Sequence, residues 1–167
     1  MLSVQVTSLP NGALLERYSA SGAYTDCYVV SIATKVSFAD YMAAFYTTPV
    51  FKIERWLLAR FLGYPSNDYE ALLLAQGKSS AFSAWDVESR ESSQAILAAG
   101  RTRSWLMAAK PPTDSGATTL FFGSAVLQRK RGNLGWQFSA LLSFHKLYSR
   151  ILLASAARRL LRAKAKA

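Results

Sequence analysis

One histidine, one cysteine and no acidic residue after Asp114 set the first limits on this chain of 167 residues. A lone cysteine, Cys27, cannot close an intramolecular disulfide, so a reducing compartment is permitted. One histidine and one cysteine do not make the common zinc sites unless carboxylates join them, and neither a metal site nor a cofactor is expected. There is no glycine-rich phosphate loop: Gly22, Gly63, Gly77 and Gly100 stand alone, as turn or cap glycines do. No stretch reaches about 18 uncharged apolar residues. The longest apolar segment, 134–161, is interrupted by Lys146, Arg150, Arg158 and Arg159. The opening MLSVQVTSLPNG lacks a basic stretch followed by an apolar run, so no secretory signal is expected. These absences together predict a soluble, cytoplasmic protein.

What is present is enough for a core. Apolar residues make up 51% of the chain and aromatics 13%, which argues against disorder and for one domain. The net charge of +10 is uneven. Residues 1–114 hold ten Lys/Arg and ten Asp/Glu; residues 115–167 hold ten Lys/Arg and no acid. Most of the excess lies in Arg129-Lys130-Arg131 and in Arg158, Arg159, Arg162, Lys164 and Lys166. A basic end attracts anionic surfaces, phosphate backbones or lipid headgroups. The plainer reading is a solvated helical tail, so the chain divides into a domain of residues 1–157 and a basic tail of 158–167. Weak contact with an anionic membrane is the alternative for those five residues, and nucleic acid is not the expected partner.

The pattern alternates between periods. Residues 24–32, YTDCYVVSI, are β-branched and aromatic and read as a first strand. Ser37 then caps a helix that ends near Thr47. Thr48 caps a second helix with Pro49 at its first position, closed by Gly63. A third, short helix runs from an Asn67 cap to Gly77. Strand-like segments follow at 81–89, 94–99, 102–110 and 117–128, separated by turn chemistry, which argues for an antiparallel meander. Gly123, inside the last of them, is the expected site of a bulge or bend. A long C-terminal helix from about 134 to 163 would measure about 45 Å. On a helical wheel Leu141, Phe144, Tyr148, Ile151 and Leu152 form its apolar side, with His145 among them, so the imidazole is expected to be largely buried and facing the sheet. The apolar stripe slips after Ser155, which predicts that the helix leaves the body beyond about Ala157.

Few residues offer chemistry. Tyr24, Asp26 and Tyr28 share one strand face and Cys27 the other. Asp26 is either a solvated carboxylate or a group that orients His145 or a tyrosine hydroxyl. A Cys27–His145 nucleophile pair is conceivable, although a strand cysteine is more often a small apolar filler. Arg90, Arg101 and Arg103 near Trp105 suggest the surface of a single-strand nucleic-acid binder, but Glu88 and Glu91 close by make cross-strand ion pairing the plainer account.

The layout of a strand, two or three inserted helices, a meander and a long last helix resembles the helix-grip architecture of the START and birch-pollen-allergen superfamily. Two stretches, Tyr24-Thr-Asp26-Cys-Tyr28 and Phe144-His145-Lys-Leu147-Tyr148-Ser-Arg150, together with the TTP break between helices, are similar to a bacterial family of unknown function. Its domain is also found fused behind nucleotide-sugar-epimerase-like reductase domains. The resemblance implies an α+β fold in which an antiparallel sheet wraps a long C-terminal helix over an apolar cavity. The leading expectation is binding of a small apolar molecule, lipid, isoprenoid or polyketide-like, by His145, Tyr148, Tyr28, Asp26, Phe144 and Trp105. The runner-up is a cyclase or hydrolase with His145 as general acid/base and Asp26 beside it. The third is peripheral binding to an anionic surface through the basic C-terminus.

Overall fold

A computed structural model describes residues 2–110, 116–127 and 136–165, with side chains in the last segment described from His145 onward. The Phe144 side chain, the Arg129–Arg131 cluster and Lys166 lie outside the described residues. In chain order the elements are β1 (Gln5–Val6), α1 (Glu16–Ala20), β2 (Tyr24–Ile32), α2 (Phe38–Tyr46), α3 (Pro49–Leu62), α4 (Asp68–Ala75), β3 (Ala81–Phe82), β4 (Trp85–Arg90), β5 (Gln94–Ala99), β6 (Thr102–Ala109), β7 (Thr118–Val126) and α5 (Trp136–Lys164). The described strands form one antiparallel sheet in the order β1-β2-β7-β6-β5-β4-β3. The fold is α+β with α5 packed against one sheet face, a helix-grip arrangement. β2 pairs along its whole length with β7, from Tyr24 opposite Val126 to Ile32 opposite Thr118. The first long strand and the last are therefore neighbours, and the register sets Asp26 opposite Ser124.

The helix starts follow from local hydrogen bonding. The Ser37 hydroxyl accepts from the Asp40 N–H, and the Thr48 hydroxyl from the Phe51 N–H with Pro49 at the first turn. Asn67 and Glu70 form a reciprocal capping box at 2.9 Å each way. Each such cap is worth about 1 kcal/mol. Gly63 ends α3 at φ 70°, where a side chain would be strained.

Two cores form, one on each sheet face. On the inner face Tyr28, Val30, Leu120 and Phe122 meet α2 and α5. On the outer face Cys27, Ile96, Trp105 and Ala125 lie under Ala13 and Leu15 of the N-terminal segment. Gln94 ties that segment down: its Oε1 accepts from the Leu14 N–H and the Trp105 indole N–H, both at 2.9 Å, and its amide donates to the Gly12 carbonyl.

Several expectations are corrected. Gly123 makes no bulge; it sits in regular register between Cys27 and Trp105. It is glycine because a Cβ there would lie 2.8 Å from the Asp26 carbonyl oxygen and 3.0 Å from the Trp105 ring. The irregularity falls in β4 instead, between Val87 and Ser89. The segment 81–89 is split into β3 and β4 at Ser83, which has φ 53°. The short elements β1 and α1 were not anticipated. Most important, the buried stripe of α5 is Ser149, Leu152, Leu153, Ala156, Ala157 and Leu160, while Ile151 is exposed. On that phase no slip occurs. Arg158, Arg159 and Arg162 all point out, Leu160 is still in the core, and the projection expected beyond Ala157 is not there. Alanines at 156 and 157 allow α5 to approach α2 closely, a pairing that a search for large apolar residues passes over.

Candidate functional site

The site begins with the β2–β7 register. Asp26 lies on the inner face, its side chain only 7% exposed. Its Oδ1 accepts from the Ser124 backbone N–H at 3.0 Å and the Ser124 hydroxyl at 2.7 Å. Its Oδ2 accepts from the hydroxyls of Tyr24 at 3.2 Å and Tyr28 at 3.4 Å. His145 projects from α5 toward this carboxylate. Its Nε2 is 2.8 Å from the Ser124 Oγ and 3.5 Å from the Asp26 Oδ2. One turn on, the Ser149 hydroxyl donates to the His145 carbonyl at 2.8 Å. The imidazole side chain is 35% exposed, so it is half-buried at a cavity mouth rather than largely buried.

The network fixes proton positions. Burial alone would raise the Asp26 carboxyl, but hydrogen bonds from His145 and Ser124 outweigh it and hold the group below its ordinary 3.8. Asp26 is therefore an anion near neutral pH. The Ser124 hydroxyl donates to it, and the serine oxygen in turn accepts from the His145 Nε2–H. In the neutral ring the lone pair then sits on Nδ1. The order is acid, serine, histidine. Ser124 holds the imidazole in place and is not activated by it, the reverse of a serine-hydrolase triad.

A second carboxylate faces the histidine from α3. Glu54 accepts a hydrogen bond from the Tyr148 hydroxyl of α5, which joins the two helices. Burial pushes Glu54 above its ordinary 4.5, and the Tyr148 bond and the nearby His145 only partly oppose that. Burial and the Glu54 charge likewise push the Tyr148 phenol up, so it stays a donor. Glu54, Tyr148, His145 and Ser124 line a cavity of about 200 Å³, as do Thr102, Arg103 and Ser104 of β6. Phe45, Phe51, Trp85, Phe122 and Leu152 form much of the rest. Tyr46 also lines it, and its buried hydroxyl has no hydrogen-bond partner among the described residues. Larger hollows exist, about 570 Å³ beside β1 and α1 and about 350 Å³ between α2 and α5, but both are open surface grooves away from His145.

The anticipated site residues therefore separate into groups. His145 and Tyr148 line the cavity. Asp26 and Tyr28 stand behind it as support, with the Tyr28 phenol pushed up to about 12, mainly by burial. Trp105 is on the other sheet face, fully buried, so it neither lines this cavity nor offers a ring for base stacking. Cys27 also faces away, and burial pushes its thiol up to about 12, so a Cys27–His145 nucleophile pair does not form. The meander arginines are committed to structure. Arg103 pairs with Glu88, Arg90 donates to the Leu74 and Ala75 carbonyls at the end of α4, and Arg101 donates to the Leu127 carbonyl. Of the basic C-terminal residues, Arg158, Arg159, Arg162 and Lys164 are exposed.

Glu54, Tyr46 and Ser124 were not foreseen. Ser124 was readable once β2 and β7 are paired, since it falls opposite Asp26. Glu54 is the only acid in α3 and lies on the helix side away from Trp56, which marks it as inward only if the apolar side faces out. Among the described residues no group of three or more His, Cys, Asp or Glu could hold a metal ion. No described helix is long and apolar enough to cross a membrane. Comparison with protein-family models, curated proteins and solved structures finds no match for this chain.

Proposed function

We propose that this protein binds a small, largely apolar molecule with one polar end in the cavity between α3, α5 and the sheet. The observation that carries this reading is the cavity's mixed lining. Phe45, Phe51, Trp85 and Phe122 line it together with a polar cluster of Glu54, His145 and Tyr148. The volume of about 200 Å³ is below the roughly 300–1,000 Å³ of drug-sized pockets. That favours a compact ring or short-chain compound over a full-length lipid or polyketide. The likeness to helix-grip carriers agrees with this reading.

A second reading has a specific observation in its favour. Glu54 and Asp26 flank one histidine, and their surroundings push their carboxyl groups in opposite directions. Two carboxylic acids so separated are how one site holds an acid and a base together. On that reading His145 exchanges a proton with the ligand, Asp26 and Ser124 orient it, and Glu54 is the second proton-carrying group.

Native mass spectrometry of the purified protein, followed by a thermal-shift screen of compact aromatic and short isoprenoid acids and alcohols, tests the binding reading. A bound mass, or a melting temperature that rises with ligand concentration, is expected, because binding to the folded state alone stabilises it. A screen with no shift, together with no co-purified mass, counts against the cavity as a binding site. If a bound compound is recovered changed in solution by the wild type and unchanged by His145→Ala, the catalytic reading replaces simple binding.

A further inference from the structure

The helix α3 is inside out. A surface helix normally turns its apolar side to the core and its charges to water. In α3 the inward positions hold Arg55, which is buried, and Glu54, which is bound to Tyr148. Only Phe51 is a buried apolar residue of this helix. The outward positions hold Ile53, Trp56, Leu57 and Phe61, with Trp56 62% and Phe61 68% exposed. Single exposed apolar residues need no explanation, but four on one side of a helix form a patch.

The patch continues onto α5. The Tyr148–Glu54 bond holds the two helices side by side, and Leu147 and Ile151 are exposed on α5. Arg158 and Arg162 follow Ile151 at helical spacing on the same side, and both are exposed. Arg60 lies among the apolar residues of α3, its guanidinium 5.6 Å from the Phe61 ring centre. Neither helix sets a carboxylate of its own beside these charges on the outward side. The sole acid of α3 faces in, and α5 contains none.

We propose that this face docks on an anionic lipid bilayer. Ile53, Trp56, Leu57 and Phe61 enter the headgroup layer, and Arg60, Arg158 and Arg162 meet lipid phosphates. The combination is that of an interfacial helix, with aromatic and aliphatic groups on the wet side of the protein and cations at their margin. Charge selects this occupant over a second copy of the chain, because in a symmetric dimer through the same two helices neither copy would offer these arginines an outward carboxylate, whereas lipid phosphates do. The proposal does not depend on the cavity reading.

Co-sedimentation of the full chain with vesicles of phosphatidylglycerol and phosphatidylcholine, against phosphatidylcholine alone, tests it. Binding is expected on the anionic vesicles and should weaken as salt is added. The double variant Trp56→Ser/Phe61→Ser should weaken partitioning by at least about tenfold with an unchanged melting temperature, since neither side chain is in the core. Arg158→Ala/Arg162→Ala should weaken it at low salt and little at high salt. Lipids carrying a quencher near the headgroup should dim the fluorescence of the wild type more than that of Trp56→Phe. No sedimentation with anionic vesicles at low salt overturns the proposal. So does undiminished binding of the Trp56→Ser/Phe61→Ser variant, which would leave only the basic charge at work. Lipid-free self-association in sedimentation velocity, abolished by the same variant, would assign the face to a protein contact instead.

Discussion

Two consecutive helices use similar start chemistry and opposite orientations. α2 is capped by Ser37 and α3 by Thr48, and each cap accepts a backbone N–H three residues on. α2 then buries Phe38, Tyr41, Met42, Phe45 and Tyr46, as an amphipathic pattern requires. α3 buries Phe51 and Arg55 and leaves its remaining large apolar residues mostly outside. A cap states where a helix begins, not which side it turns inward. The inward side is decided by what the rest of the fold offers. For α2 that is the apolar sheet face and α5. For α3 it is the polar rim of a cavity on one flank and the turn into α4 on the other.

The largest effect expected from this contrast is in α2. The Phe45 ring lies 4.9 Å from that of Phe122, 5.2 Å from Tyr46 and 6.1 Å from Phe51, centre to centre. Phe45→Ala should cost about 3–5 kcal/mol in urea unfolding, the usual range for emptying an aromatic site in a core. A loss below about 1 kcal/mol would mean that the helices over this sheet face repack freely, and the contrast with α3 would lose its basis.

How far the sequence reveals this arrangement depends on the residue type. Helix starts, the first strand, the antiparallel meander and the α+β helix-grip class were legible because capping side chains, β-branched runs and turn residues act locally. The pairing of β2 with β7 brings Asp26 to Ser124, and so the site, but it joins residues 98 positions apart and leaves no local trace. The phase of α5 is not legible in its sequence because Ile151 outweighs Ala156 and Ala157 on any hydrophobicity count. The alanines are fully buried beside Leu152, Leu153 and Leu160, while Leu147 and Ile151 lie on the outer patch. Glu54 and Arg55 were passed over because charged residues in a helix are usually solvated.

Arg55 sharpens the comparison at intermediate cost. Its Nε donates to the Ser66 hydroxyl at 3.0 Å, one terminal nitrogen to the Asp68 Oδ1 at 2.7 Å and the other to the Ser66 carbonyl at 2.8 Å. A guanidinium fork thereby fastens the α3–α4 turn from the inside. Arg55→Met keeps the apolar stem and removes the fork. It should cost about 1–3 kcal/mol, because the Ser66 carbonyl loses a charged donor while the half-exposed Asp68 keeps water and Lys52. Arg55→Lys should recover little, since an ammonium cannot satisfy that planar set. Full recovery by lysine would show that α3 needs only a charge there and not a shaped anchor.

The smallest expected effect is at Glu54, and its sign makes it informative. Asp26 and Glu54 both lie near His145, only Glu54 on the cavity wall, and they should tilt stability with pH in opposite senses. The folded-state value of Asp26 lies below its ordinary 3.8, so its contribution is complete above that value and is lost as pH falls through the lower one. The folded-state value of Glu54 lies above its ordinary 4.5. Folding therefore favours its protonated form, and that contribution is present below 4.5 and is lost as pH rises through the folded value. Glu54→Gln keeps an acceptor for the Tyr148 hydroxyl and removes the ionisation. Unfolding free energy followed by urea titration from about pH 4 to 8 should fall less steeply with rising pH in the variant. Near neutral pH the variant should match or exceed the wild type, by no more than about 1 kcal/mol. Asp26→Asn should act on the acid side instead, lowering stability at neutral pH and flattening the loss below about pH 4. A Glu54→Gln variant that is less stable at every pH, with an unchanged slope, would place the Glu54 carboxylate in water and remove the polar rim that turns α3 outward.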